Sequence, residues 1–204
     1  MICRLIPSRR AIRILVAALL CLGFWQFGQG AYIPAKAWLA QELMHRAWKK
    51  AEGGEQAPPP WPWADTWPVA KLIVPQYDIE QIILAGDSGS SLAFGPGYSL
   101  ASARPNTAGT TMISGHRDTH FGFLKNLRIN DILLIQTTGS TVSYRIIDMQ
   151  IVDSQLFSLQ PDTHEKNLVL VTCYPFDTLT AGGTSRYLVY ASAMPENTNP
   201  LAAM

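Results

Sequence analysis

The sequence predicts an all-β domain, either a closed barrel or a sandwich, that follows an N-terminal apolar helix. After residue 68, runs rich in Val, Ile, Thr and Tyr recur between turn-forming residues. Helical periodicity is scarce in the same region. Seven or eight strands in about 130 residues are typical of a barrel or a sandwich.

The predicted strands are short, and each is bounded by turn residues such as Gly95–Gly97 and Gly139–Ser140. They are Val69–Val74, Ile79–Leu84, Gly109–Ser114, Asp131–Thr137, Thr141–Val152, Asn167–Thr172 and Arg186–Ala193. The longest of them can divide near Asp148. Two segments, Asp87–Phe94 and Phe121–Leu127, predict short helices.

The N-terminal segment has the pattern of a membrane anchor. Arg4, Arg9, Arg10 and Arg13 precede an apolar run, Ile14–Phe27, and the stretch from residue 11 to 33 approaches the roughly 20 residues that span a bilayer. A cleaved signal peptide is the alternative, because Gly28–Ala31 offers a small-residue cleavage site. The amphipathic stretch after Pro34, with Trp38 and Trp48, suits the membrane interface and favours an uncleaved anchor.

The chain therefore divides into four expected regions. Residues 1–33 are a basic cytoplasmic tip and a transmembrane signal anchor, and residues 34–66 are a juxtamembrane helix and a linker rich in Pro and Trp. Residues 67–194 are the globular domain, and residues 195–204 are a C-terminal tail. Since arginines flank the span on its N-terminal side, we expect the N-terminus in the cytoplasm and the globular domain outside the inner membrane.

Charge and cysteine content exclude some classes of function. The net charge is +1, made up of 8 Lys/Arg against 4 Asp/Glu in residues 1–66 and 8 against 11 in residues 67–204. The globular part is thus mildly acidic, and no nucleic-acid partner is expected. Of Cys3, Cys21 and Cys173, only Cys173 lies in the globular part, so that part has no internal disulfide.

Three residues at predicted strand ends could carry thiol chemistry. Cys173 ends the apolar run from Leu168, and His116 follows the strand that ends at Ser114. A free thiol has a pKa of about 8.5, so a nucleophilic cysteine needs a partner such as histidine to share its proton. Arg186 opens the last strand and could hold the oxygen that becomes negative during acyl transfer.

Other interpretations remain open at this point. Cys173 could be a buried core residue of a non-enzymatic domain that binds a partner. A cysteine protease is also possible, although the flanks Val-Thr-Cys-Tyr-Pro differ from the caspase pattern. His116 and His120 have the i, i+4 spacing of some zinc sites, but Arg117 stands where such sites carry Glu.

The motifs around these residues resemble the sortase family. Leu170–Cys173 is similar to the family's cysteine box, with Val169 where a leading Thr is usual, and Gly115–Asp118 looks like its histidine box. Gly95–Tyr98 is similar to a Gly-Pro-Gly-His turn of the family, with Tyr98 replacing His. The segment Tyr32–Lys36 and the run Cys-Tyr-Pro-Phe look most like the Gram-negative sortases.

The resemblance implies an eight-stranded closed barrel with short helices and a cysteine transpeptidase without a cofactor or a metal. Cys173 would attack the bond between Thr and Gly of an LPxTG-like sorting signal, with Arg186 at the oxyanion and His116 as acid and base. The implied partners are a target protein with a C-terminal sorting signal, an amine acceptor and the membrane; hydrolysis by water is the alternative outcome. The candidate substrate-binding residues are Thr172, Tyr98, Asp118 and His120.

Overall fold

The structure is a computed structural model that describes residues 9–53, 57–156, 158, 164–178 and 182–195. The described residues form eight strands: β1 (Pro68–Val74), β2 (Ile79–Ala85), β3 (Gly97–Tyr98), β4 (Gly109–Ser114), β5 (Ile132–Gln136), β6 (Thr141–Asp153), β7 (Lys166–Cys173) and β8 (Ser185–Ala193). They close into a barrel in the order β1-β2-β3-β4-β7-β8-β6-β5, and β5 pairs back onto β1. The closed eight-stranded barrel is thereby confirmed, and the sandwich alternative is excluded.

Two differences from the sequence prediction go beyond the ends of strands. The two-residue strand β3 was not predicted, because a Gly-Pro-Gly sequence carries no strand signal. It runs parallel to β2, and a Cβ at Gly97 would collide with the carbonyl oxygen of Gly86, so glycine permits this close approach. β6 does not divide; instead its register with β8 shifts between Ile146 and Asp148, which is a β-bulge in one continuous strand.

Helices occupy the N-terminus and the connections. Helix α1 spans Arg9–Glu52, α2 spans Gly89–Leu92, and 3₁₀ turns cover Pro75–Tyr77 and Gly122–Asn126. The helix expected after Pro34 is present, but it continues the apolar segment without a break, and Pro34 lies inside it. α1 ends where Gly53 follows, with the Gly53 N–H donating to the Lys49 carbonyl oxygen at 3.2 Å.

The chain divides into two compact units, one ending at Gln41 and the other beginning at Glu42. Within the described residues, α1 is the one helix long and apolar enough to cross a membrane. Its apolar side chains are exposed, among them Ile14, Phe24 and Phe27. The start of the basic tip, residues 1–8 with Cys3, and the tail from residue 196 lie outside the described residues.

The core fills the barrel with one side-chain face of each strand. On β7, Leu168 and Leu170 are fully buried in this core, so Val169, Val171 and Cys173 belong to the outer face. On β8, Val189 takes part in the core in the same way. Strand alternation therefore places the end of β7 with Cys173 on the outside of the barrel.

The last turns of α1 and the linker pack on the barrel. Met44 and Trp48 are each 1% exposed and form a small second core with Ile82 and Leu84 of β2. In the linker, Thr66 Oγ1 donates to the Ala85 carbonyl oxygen at 2.7 Å. Burial of Met44 and Trp48 thus makes residues 42–52 part of the compact unit that contains the barrel.

Candidate active site

The candidate site lies where the parallel strands β4 and β7 end. The last residues in register between these strands are Ser114 and Val171. His116 and Cys173 each lie two residues further along, so the two strands deliver them to the same end of the barrel. Neighbouring strands are about 4.8 Å apart, which brings such residues into one site although 57 positions separate them in sequence.

Arg186 lies directly opposite Cys173. The antiparallel pairing of β7 and β8 aligns Cys173 with Arg186 and Thr172 with Tyr187. Directly opposed residues project from the same face of a sheet, so Cys173 and Arg186 share the outer face. Cys173 and Arg186 are half-buried and His116 is exposed, so the site is open to a polymeric substrate.

Two hydrogen bonds fasten the end of β7 to the residue that precedes His116. The Gly115 N–H donates to the Val171 carbonyl oxygen at 3.0 Å, and Thr172 Oγ1 donates to the Gly115 carbonyl oxygen at 2.7 Å. Both backbone polar groups of Gly115 are therefore held by the two residues that precede Cys173. This is how the chain fixes the histidine segment against the cysteine strand.

Gly115 also permits a close aromatic contact. The ring of Phe121 is fully buried over Gly115, and a Cβ at Gly115 would lie 2.6 Å from its Cγ atom. The Phe121 N–H donates to the His116 carbonyl oxygen at 2.9 Å, which closes the loop that carries His116. Glycine is needed here because the ring occupies the place of a side chain.

Backbone carbonyl groups orient Arg186, and the Asp153 carboxylate lies within electrostatic reach of it. Its Nη1 donates to the carbonyl oxygens of Gly183 (2.8 Å) and Ser185 (3.0 Å). Nearby, the N–H of Gln155 and the hydroxyl of Thr184 donate to Asp153 and lower the pKa of its carboxyl, and the charge of Arg186 lowers it further. A negative charge thus faces the strand end that carries Arg186.

An aromatic cluster lies beside the cysteine, and sequence reasoning did not identify it. The rings of Tyr174 and Tyr187 are stacked with centroids 6.3 Å apart, and Phe176 meets Tyr187 edge-on at 5.2 Å. The Tyr187 hydroxyl lies 3.0 Å from the Met149 sulfur. The Cys-Tyr-Pro-Phe run shows that aromatic residues follow the cysteine. The strand pairing of Thr172 with Tyr187 is what brings Tyr187 to those rings, and the sequence does not show this pairing.

The four candidate substrate-binding residues separate into two groups. Tyr98 and Thr172 are buried, at 6% and 2% exposure, and their hydroxyls donate to the carbonyl oxygens of Ser102 and Gly115. Both hydroxyls are bonded within the barrel, and contact of either residue with substrate stays a prediction. Asp118 is exposed and pairs with Arg117 at 3.3 Å, while His120 is half-buried.

His120 lies within electrostatic reach of His116. Burial, and then the charge on His116, lower the pKa of the His120 imidazole below its ordinary value. The carbonyl oxygen of His120 accepts a hydrogen bond from Gln81 Nε2 at 2.6 Å. In the described part of the chain, no group of three or more His, Cys, Asp and Glu residues is arranged to hold a metal ion.

With this geometry in place, comparison with known proteins identifies the class. The family model described as "Sortase domain" matches residues 72–194, and the chain belongs to the sortase family. Sortase D of Bacillus subtilis (strain 168) is 33% identical over 120 residues, which cover 58% of this chain and 60% of that protein. The match therefore spans less than two thirds of that relative's length.

Solved structures agree with the family. Sortase A from Corynebacterium diphtheriae superposes with a TM-score of 0.58 at 27% identity, covering 68% of this chain and 65% of the other. A pilus-related sortase C of Group B Streptococcus gives a TM-score of 0.57 at 26% identity, covering 64% and 69%. These relatives are Gram-positive sortases, so the comparisons do not support the expected Gram-negative class.

Proposed function

We propose that this chain is a membrane-anchored cysteine transpeptidase that cleaves an LPxTG-like sorting signal between Thr and Gly and transfers the acyl group to an amine. The observation that carries the proposal is the pairing of Cys173 with Arg186 at the barrel end where the parallel neighbour strand delivers His116. Membership of the sortase family supports the same reaction class.

In the proposed reaction, Cys173 is the nucleophile. Its thiolate sulfur bonds to the carbonyl carbon of the scissile peptide bond, and the negative charge that develops on the oxygen is held by Arg186. The C–N bond then breaks as His116 gives a proton to the departing amine, which leaves a thioacyl enzyme. An incoming amine loses a proton to His116, forms the new C–N bond and releases the Cys173 thiolate.

The proposal predicts that Cys173→Ala and His116→Ala lose transfer activity while the protein stays folded. Loss of the nucleophile should remove turnover, and loss of the acid and base should lower kcat by about 10²- to 10⁴-fold. Transfer to hydroxylamine and thermal unfolding are measured together, with Cys21→Ala as a matched cysteine control because Cys21 is exposed on α1. Turnover by a folded Cys173→Ala protein contradicts the mechanism.

A second test addresses Arg186. Arg186→Lys keeps the charge but loses the planar fork, so kcat/KM should fall by about 10²-fold, as expected when a donor to a developing oxyanion is removed. Arg145→Lys makes the same change at an exposed position of β6 and should keep wild-type kinetics. Near-normal turnover by Arg186→Lys would give Arg186 a structural role only.

The anchor and the substrate contacts belong to the same proposal. α1 begins with arginines and exposes apolar side chains along its first turns, which supports a single span with a cytoplasmic N-terminus and an extracytoplasmic catalytic domain, residues 67–194. A cleaved signal peptide meets the same criteria of length and composition, and the intact mass of the membrane-extracted protein distinguishes the two. Asp118 and His120 are the proposed substrate-contacting residues that reach the surface.

The target protein and the acceptor amine are proposed by class only, as a protein with a C-terminal sorting signal and a primary amine. Assignment to the Gram-negative class rests on Tyr32–Lys36 and the Cys-Tyr-Pro-Phe run of the sequence, and it stays a prediction.

A further inference from the structure

A nearly buried charged side chain joins the two loops that carry the proposed catalytic pair. The side chain of Arg117 is 7% exposed. Its Nη1 donates to the Pro175 carbonyl oxygen at 2.9 Å, its Nη2 to the Thr178 carbonyl oxygen at 3.4 Å, and its Nε to Asp118 Oδ1 at 3.3 Å. A buried guanidinium is costly unless its N–H groups are bonded, so these bonds hold the side chain in one place.

The residues that form these bonds lie close to the proposed catalytic residues in the sequence. Arg117 directly follows His116, and Pro175 comes two residues after Cys173. On the other side of His116, Gly115 is bonded to Val171 and Thr172. The residues on both sides of the histidine are therefore bonded to segments on both sides of the cysteine.

We propose that Arg117 is a positioning residue, which sets the placement of His116 relative to Cys173 by binding the loop that follows the cysteine. This role rests on the proposed function. Beyond Tyr174, whose N–H donates to the Ser185 carbonyl oxygen, residues 175–178 form no strand, and Arg117 donates to two of their carbonyl oxygens. The planar guanidinium reaches two carbonyl oxygens at once, which a lysine ammonium on a flexible stem does not reproduce.

A second link between the same loops provides a matched control. Lys125 Nζ lies 3.3 Å from Asp177 Oδ1, but the two side chains are 48% and 87% exposed. Exposed ion pairs contribute little. Removal of Lys125 should therefore leave the placement of the catalytic pair intact, although it deletes a cation that contacts the same loop as Arg117.

The experiment uses the full chain in detergent micelles and compares wild type, Arg117→Gln, Arg117→Lys, Lys125→Gln and His116→Ala. Three properties are measured: the thermal midpoint, kcat and KM for transfer of an LPxTG peptide to hydroxylamine, and the pH profile of Cys173 alkylation by iodoacetamide, read on the Cys173 peptide by mass spectrometry. Alkylation needs no sorting signal, so it reports on the cysteine and its surroundings even if the peptide is not a substrate.

Arg117→Gln should lower kcat by about 10-fold or more with less than a twofold change in KM, because displacement of a catalytic group affects the reaction more than binding. Its alkylation profile should move toward that of His116→Ala. Arg117→Lys should recover part of kcat, and Lys125→Gln should match wild type in all three measurements. If Arg117→Gln does not fold, the kcat and alkylation profile of Arg117→Lys decide the proposal in the same way.

Two results would overturn the proposal, and they are distinguishable. If wild type and His116→Ala share one alkylation profile and neither transfers the peptide, the proposed pair itself fails, and the role of Arg117 fails with it. If those two differ while folded Arg117→Gln keeps the wild-type profile and kcat, the pair stands and the positioning role of Arg117 is wrong.

Discussion

At the scale of single residues, Gly115 is a position where the site depends on the absence of a side chain. We predict that Gly115→Ala lowers the free energy of unfolding by about 1–3 kcal/mol, since overpacking against a buried ring forces the ring or the backbone to move. Transfer activity should fall as well, because Gly115 adjoins His116. Chemical denaturation and transfer assays measure both effects.

The control for this change is Gly139→Ala, because a Cβ at Gly139 would have no neighbour within 4 Å. The double variant Gly115→Ala/Phe121→Leu should regain part of the free energy of unfolding that Gly115→Ala alone loses. Equal free energies of unfolding for Gly115→Ala and Gly139→Ala would show that the Phe121 ring leaves room for a side chain at position 115.

The low pKa of His120 predicts a stability that depends on pH. The unfolded chain binds a proton at His120 near the ordinary pKa of about 6.5, whereas the folded chain binds it only at lower pH. The contribution of His120 is therefore fully present above pH 6.5 and is lost as the pH falls through 6.5 toward the folded pKa. Thermal midpoints between pH 8 and pH 5 should fall less for His120→Gln than for wild type, and parallel curves would contradict this.

Candidate site residues could be predicted only where a local sequence pattern pointed to them. Cys173 and His116 were proposed as catalytic residues because each lies at the end of a strand-forming run, and Arg186 because it lies at the start of one. Arg117 was adjacent to His116 in sequence, yet its bonds to residues 175 and 178 depend on the contact of two distant loops. Burial of the Tyr98 and Thr172 hydroxyls depends on tertiary packing in the same way.

At the scale of secondary-structure elements, Asn106 joins the connection between β3 and β4 to the β5–β6 hairpin. It is 9% exposed with φ of 65°, its Nδ2 donates to the carbonyl oxygens of Ile135 (2.9 Å) and Ser140 (3.2 Å), and its Oδ1 accepts from the Tyr144 hydroxyl (3.3 Å). Burial raises the pKa of Tyr144 to about 12, so this hydroxyl remains a donor at neutral pH.

We predict that Asn106→Ala costs about 2–4 kcal/mol of unfolding free energy, because it leaves buried polar groups unsatisfied and keeps a positive φ without the asparagine amide. Asn130→Ala is the matched control, because Asn130 also has a positive φ, 75°, but is exposed. This variant should lose about 1 kcal/mol of unfolding free energy. Equal losses in urea denaturation would mean that the Asn106 side-chain bonds contribute nothing.

Side-chain periodicity and turn residues predicted most of the strands. β4 has the predicted bounds, and each of the other predicted strands differs by one residue at one or both ends. β3 was missed because two residues that include a glycine give no pattern. Periodicity does not predict the order of the strands in the barrel, because the parallel pairing of β4 with β7 joins segments far apart in sequence.

At the scale of the whole molecule, the end of α1 acts as part of the compact unit that holds the barrel. Trp48 is 1% exposed against Ile82 and Leu84. We predict that Trp48→Ala costs about 3–5 kcal/mol, as large-to-small changes in a core do. Trp63→Ala, at a position that is 83% exposed, should be neutral in the same thermal unfolding experiment, and a neutral Trp48→Ala would show that this packing is dispensable.

The same packing predicts where a stable soluble fragment begins. A fragment of residues 42–204 keeps Met44 and Trp48, whereas one that starts at residue 57 exposes Ile82 and Leu84. The longer fragment should unfold at a higher temperature and stay monomeric at higher concentration. Equal behaviour of the two fragments would contradict a stabilising role for the end of α1.

The proposed mechanism requires that Cys173 form a thioacyl intermediate. The most direct measurement is the intact mass of the full chain mixed with an LPxTG peptide, before and after hydroxylamine is added, with Cys173→Ala in parallel. We expect an adduct equal to the peptide acyl fragment on the wild type alone, released by hydroxylamine as the Thr hydroxamate. An adduct or product with folded Cys173→Ala, or neither from folded wild type across varied sorting peptides, would contradict it.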